Sequence, residues 1–256
     1  MRSFDYIESG KTLLTPHTTS LLAAIHEAKG RQSIQTTIRP DILGTLVAVA
    51  RIQSTDASNR IEGISTSDSR LNDLVSEKVT PRNRNEEEIA GYRDALSVIH
   101  ESHDYIPITP NVILQLHRDL FRHTPLTFAG HFKDSDNVII ERDAHGTSTV
   151  RFAPPSALVT PELIERACSA YTQAIRDGHT DPLLAIAMFI LDFTCIHPFN
   201  DGNGRMSRLL TLLMLCRNGY MVGKYISIEH LIEQSKSTYY EAVSYTHLRA
   251  HETLSD

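Results

Sequence analysis

The sequence predicts a mainly α-helical fold with one β-hairpin set into it. Three segments open on a capping residue followed by proline: Thr109-Pro110, Thr160-Pro161 and Asp181-Pro182. That pairing is favoured at helix starts, where a side-chain oxygen serves a free N–H and proline loses nothing. The run from Asp181 to Ile196 is apolar nearly all round, as in a central helix. Only DNVIIERDAHGTSTVRF, at 136–152, places β-prone runs on both sides of a turn, DAHG.

Taken in chain order, the run from Asp41 reads as a helix that Gly63 can close in the left-handed conformation. The stretch 66–86 is the most polar and loop-like, and is the candidate boundary between two regions. NEEEIAGYRDALSVIHESH, 85–103, carries acids in its first turn, where the helix dipole favours them. A helix follows Thr109, then the hairpin, then a loop at APPS, 153–156. ELIERACSAYTQAIRDG repeats apolar residues at helical spacing and ends on Gly178. MSRLLTLLMLCRNG ends the same way on Gly219, and SKSTYYEAV, from Ser235, reads as a further helix start. Three regions result: 1–85 as an N-terminal helical region, 86–243 as the core, and 244–256 apart. The last string, SYTHLRAHETLSD, resembles a recurrent non-native tail, so the natural protein is expected to continue differently.

The 256 residues are 41% hydrophobic, enough for a sizeable core. A net charge of −6 gives no broad nucleic-acid footprint. Cys168, Cys195 and Cys216 form no CxxC pair and sit in apolar helical contexts, so buried free thiols are expected. MRSFDYIESGKTLL lacks a signal-peptide core, and the longest apolar stretch, 183–191, is too short for a membrane span. A cytoplasmic protein without a membrane partner is the expectation.

The chemistry concentrates in HPFNDGNGR, 197–205. His197 sits at the rim of the core, held by Pro198 and by Phe199 packing inward, and suits a general base. Asp201 is a hard oxygen ligand suited to Mg²⁺. Gly202, Asn203 and Gly204 allow backbone N–H groups to converge on an anion at a helix start. Arg205 and Arg208 are three apart on one face of that helix and suit phosphate oxygens. Together they describe phosphoryl-type transfer from a nucleotide. No GK[ST] follows the glycines, so this is not a Walker loop.

HPFNDGNGRMSR, 197–208, resembles the signature HPFx(D/E)GNGRxxR of the Fic family over all twelve positions. The resemblance implies a Fic fold: a helical bundle with a central helix–loop–helix and a hairpin flap. It implies protein adenylyltransfer, with AMP passing from ATP to a Ser, Thr or Tyr hydroxyl and pyrophosphate leaving. His197 would take the hydroxyl proton, Asp201 would hold Mg²⁺, and Gly202 to Gly204 would cradle phosphates. Asn203 would contribute directly, Arg205 would stabilise developing charge, and Arg208 would bind the γ-phosphate. The hairpin, with Val138, Ile139 and Ile140, is similar to the family's flap, to which a target adds as a strand; Ile139 would lie against ATP. STYYEAV resembles a segment whose tyrosine lies near adenine, here Tyr240 or alternatively Tyr239.

Upstream, SNRIEG, 58–63, sets Ser58 and Glu62 on one helix face. Beside a Fic core it resembles the inhibitory motif (S/T)xxxE(G/N), in the class whose inhibitory helix, here about 41–63, precedes the core. The resemblance implies that Glu62 pairs bidentately with Arg208 and displaces the γ-phosphate. Other readings are a Fic enzyme with another activity (deAMPylation, UMP, phosphocholine or phosphate transfer) and a regulatory protein with a missing C-terminal DNA-binding domain. A metal hydrolase built on the 13 histidines finds no paired ligand spacing. The target protein is unreadable, and a homodimer stays open.

Overall fold

A computed structural model describes residues 4–38, 40–142 and 148–235, leaving aside the side chains of 33–41, 139–149 and 151. The DAHG turn, Tyr239, Tyr240, most of the helix expected from Ser235 and the tail at 244–256 lie outside the described residues, as do the side chains of Ile139 and Ile140.

The chain opens with α1 (Tyr6–Leu13), α2 (Pro16–Ile38), α3 (Pro40–Ile61) and α4 (Asp68–Val75). Next come α5 (Arg84–Ser102) and α6 (Pro110–Leu120), then the hairpin strands β1 (Ile139–Arg142) and β2 (Ser148–Phe152). The remainder is α7 (Thr160–Asp177), α8 (Pro182–Ile196), α9 (Asn203–Arg217), α10 (Val222–Tyr225) and α11 (Ile228–Gln234). A mainly α fold with one two-stranded antiparallel sheet is therefore what the described residues form.

Helix α8 occupies the centre, against α7 on one side and α9 on another. Ala185, Phe189 and Phe193 are fully buried along it, which is why nearly all its faces are apolar. Asp181 caps it by accepting from the Leu183 N–H. Thr109 caps α6 through the Val112 N–H. Thr160 departs from the expectation: it is the first residue inside α7, not its cap. A 3₁₀ turn at Ala157–Val159 runs straight into α7, and the Thr160 hydroxyl donates back to the Ser156 carbonyl. Gly178, left-handed at φ 66°, ends α7.

The stretch 66–86 also departs from its loop-like reading. It contains α4, whose Leu71, Leu74 and Val75 pack with Ile89 of α5 in a small second core. Its polar residues are spent on a buried carboxylate: Glu86 accepts from Arg70, from the Arg82 N–H and from the Thr66 hydroxyl. The Arg70 guanidinium does most to hold Glu86 down to about 2. Helix α1 lies on α7 and α8, where the Tyr6 hydroxyl donates to buried Asp192. Helix α3 packs on α5, α10 and α11. Cys168 and Cys216 are buried, and burial pushes their thiols up to about 12 and 11. Cys195, near the end of α8, is only partly buried.

The hairpin pairs Ile139 with Phe152 and Ile140 with Val150, so one extra residue bulges from β2. It starts later than 136, at Ile139. Val138 and Val150 stay exposed, the latter at 63%.

Candidate active site

Helix α8 stops at His197, whose N–H still donates to the Phe193 carbonyl while its backbone turns left-handed at φ 49°. A non-glycine residue there is uncommon and needs its surroundings to hold it. Phe199 supplies one anchor, fully buried beneath the loop. Gly202 makes the second left-handed turn, at φ 81°, and α9 starts at Asn203. The loop between the two helices therefore puts His197 beside the N-terminus of α9, where free N–H groups and the helix dipole favour an anion.

The Asn203 side chain is bonded to the loop itself. Its Oδ1 accepts from the Phe199 N–H and its Nδ2 donates to the Phe199 carbonyl. The side chain staples the loop at the start of α9. Asp201 keeps its side chain 46% exposed, and its Oδ1 accepts from the Gly202 N–H. Arg84 and Arg205 approach it at 3.7 and 3.8 Å. A half-open carboxylate of this kind would fit as one oxygen ligand of Mg²⁺, the remaining ligands coming from substrate and solvent. Among the described residues no group of three His, Cys, Asp or Glu side chains converges as a metal-hydrolase site would require.

Arg205 is 1% exposed and pairs with Glu88 of α5 at 2.6 Å, over the Phe121 ring. Glu88 also accepts from Arg84. Arg208 is held elsewhere: its Nε donates to the Ser58 hydroxyl at 2.8 Å and its Nη2 to the Ser58 carbonyl at 2.9 Å. The same Nη2 donates to Glu62 Oε1 at 2.7 Å. Ser58 and Glu62 thus hold the same guanidinium. Gly63, at φ 78°, turns the chain away directly after Glu62. Its carboxylate sits directly over Gly204, where any Cβ would collide with Oε1. An anionic group thus covers the start of α9.

His197 is held at about 4, first by burial and next by Lys133. A backbone hydrogen bond to Thr194, and the Glu62 and Asp201 carboxylates, pull the other way. At neutral pH it is an unprotonated imidazole able to accept a proton.

Residue types and spacing gave no notice of the loop's other supports. His117 of α6 is fully buried and stacks flat on Phe199, centroids 3.7 Å apart. Its Nδ1 accepts from the Gly130 N–H, so Nε2 carries the proton and donates to the Asp201 carbonyl. Lys133 and Asn137 bond the backbone on both sides of His197. In sequence His117 is a lone histidine on an apolar helix face, and Glu88 one acid among three; no local pattern marks either.

A profile of the Fic/DOC family matches residues 107–215, which span α6 to α9 and the whole signature loop. The chain carries a Fic/DOC family domain. It is 37% identical over 90 residues to a Fido domain-containing protein of Dictyostelium discoideum, covering 34% of this chain and 58% of that protein. It is 28% identical over 145 residues to the protein adenylyltransferase fic-1 of Caenorhabditis elegans, covering 54% of this chain and 25% of that protein. The chain therefore spans less than two thirds of the length of these curated relatives. A Fic domain-containing signaling protein from Bacteroides thetaiotaomicron superposes with a TM-score of 0.71 at 23% identity, over 87% of this chain and 80% of that one. That likeness establishes the Fic fold. Among the described residues no helix is long and apolar enough to cross a membrane.

Proposed function

We propose that this Fic domain transfers AMP from ATP to a hydroxyl of a protein side chain, and that Glu62 holds it idle. The observation that carries the proposal is the Glu62 carboxylate on Arg208, covering the start of α9 beside an unprotonated His197. An anion already favoured at that spot argues that the spot is built for one.

In the reaction, the target hydroxyl oxygen attacks the α-phosphorus and its proton passes to the His197 ring nitrogen. The bond from the α-phosphorus to the bridging oxygen breaks, and pyrophosphate leaves. The N–H groups of Gly202 to Gly204 hold phosphate oxygens, and Arg205 stabilises the charge that develops. Asp201 would hold Mg²⁺, which when bound supplies positive charge against the phosphates. Arg208 takes the γ-phosphate once Glu62 releases it. The target's main chain adds to the flap edge next to Val138.

With Glu62 in place the γ-phosphate loses its arginine, and the α-phosphate sits out of line. A displacement of about 1 Å can cost roughly a hundredfold in rate. The test is incubation with α-labelled ATP, using wild type, Glu62→Gly, and Glu62→Gly combined with His197→Ala. Label on protein should rise on the order of a hundredfold in the first variant and vanish in the second. No gain in a folded Glu62→Gly protein that binds ATP sinks the proposal. Label from γ-labelled ATP points instead to phosphate transfer.

A further inference from the structure

Lys133 is a buried cation next to the base. It lies between α6 and β1, 3% exposed, in the stretch HFKDSDN. Its ammonium donates to the Ile196 carbonyl at 3.2 Å and to Asn137 Oδ1 at 3.1 Å. Its backbone N–H donates to the Pro198 carbonyl at 2.8 Å. Asn137 in turn donates to the Phe199 carbonyl. One short segment is thus bonded to the residue before His197 and to the two after it.

Among the described residues no carboxylate lies within ion-pair distance of this ammonium. A buried charge normally takes such a partner, since desolvation is costly. Burial accordingly pulls Lys133 below the ordinary lysine range, with only Asp136 opposing. A neutral side chain would bond the Ile196 carbonyl at less cost. The charge itself therefore wants a reason, and two are available. The C-terminal end of α8 attracts a cation. A fixed cation beside His197 also disfavours a second one on its imidazole.

We propose that Lys133 is a positioning residue for the His197 base: its hydrogen bonds hold the backbone on both sides of the imidazole, and its fixed charge adds to burial in disfavouring a second cation there. The proposal rests on the AMP-transfer reading for the use to which the base is put. The charged groups facing His197 are Lys133 from this loop, Glu62 from α3 and Asp201 from its own loop. The two acids favour the protonated ring, and Lys133 opposes both.

The test compares wild type with Lys133→Gln, Lys133→Met and Lys133→Arg. Glutamine keeps a donor for Ile196 without the charge, and arginine keeps the charge. The His197 ring resonance is titrated by NMR in the protein without nucleotide, alongside thermal melting to verify folding. Its midpoint should rise by roughly one pH unit in Lys133→Gln and Lys133→Met, and stay in place in Lys133→Arg. In the Glu62→Gly background, the acid limb of the labelling rate should move up in pH by the same amount. Label at neutral pH should change far less than label near pH 5. A folded Lys133→Gln protein with an unmoved His197 midpoint overturns the proposal, as does an arginine variant that shifts like methionine. A moved midpoint in a protein that transfers no AMP keeps this assignment and removes only the activity.

Discussion

At the scale of single residues, the site is an arrangement of charges that hold one another. Arg205 and Arg208 share a helix face, but each is tied in a different direction. Arg208 goes to Ser58 and to Glu62, whose side chain is about one third exposed. Arg205 goes to buried Glu88 and stays where it is. Glu88→Ala should leave the buried Arg205 charge only the more distant, half-exposed Asp201, and destabilise the protein by about 3 kcal/mol. Thermal melting checks this; an unchanged Tm means that Arg205 finds another partner. Glu88→Gln, which keeps the shape, should cost less stability but still reduce labelling in the Glu62→Gly background. Asn203 shows how a residue in a functional motif can serve the motif's shape: its amide is committed to Phe199, and that commitment fixes where the α9 N–H groups begin.

At the scale of elements, the loop between α8 and α9 is positioned by helices that do not contain it. Helix α6 supplies His117, which joins Phe199 and the Asp201 backbone to Gly130. Helix α5 brings α6 close by way of Gly91, which lies against the Leu120 carbonyl at the end of α6. A Cβ there would collide with that carbonyl, and a backbone atom cannot swing aside as a side chain can. Gly91→Ala should therefore destabilise by about 1–3 kcal/mol through overpacking, despite alanine's better helix propensity. The urea midpoint should fall with little change in slope. A midpoint that rises means that α5 and α6 have room to part. Helix α3 is anchored in two ways: Ser58 on Arg208 at the site, and Arg60 on Glu233 of α11 at 2.9 Å near the surface. The second is partly exposed and contributes about 0–1 kcal/mol, so it steers the helix more than it secures it.

At the scale of the whole molecule, three histidines among the described residues, two buried and His197 partly so, tie folding to pH. His100, His117 and His197 are each held at about 4, burial being the first cause in all three. In the unfolded chain each takes a proton near pH 6.5. Between those values the unfolded state binds protons that the native state refuses, so stability falls as pH drops from about 6.5 towards 4. Above that window these groups cost nothing. The Tm should be lower at pH 4.5 than at pH 7, and the proton uptake on unfolding should be largest between them. An equal or higher Tm at pH 4.5 contradicts this assignment.

The sequence by itself determined the helical class, the single hairpin, the central position of α8 and the stretch from His197 to Arg208. These are legible because they are local: a cap with proline, an apolar helix surface, a turn between β-prone runs, and twelve contiguous positions with their chemistry in order. It misled at Thr160 and at 66–86, where a 3₁₀ turn and a small second core overrode local polarity. The motif resemblance already set Glu62 against Arg208, 146 positions away, and only the tertiary structure added Ser58 to the same guanidinium. It alone decided that Lys133, 63 positions before Ile196, stands beside the base. It also decided that His117 and Glu88 hold the loop and its arginine. Contacts of that separation depend on how helices pack, and packing leaves no period or spacing in the sequence to be read.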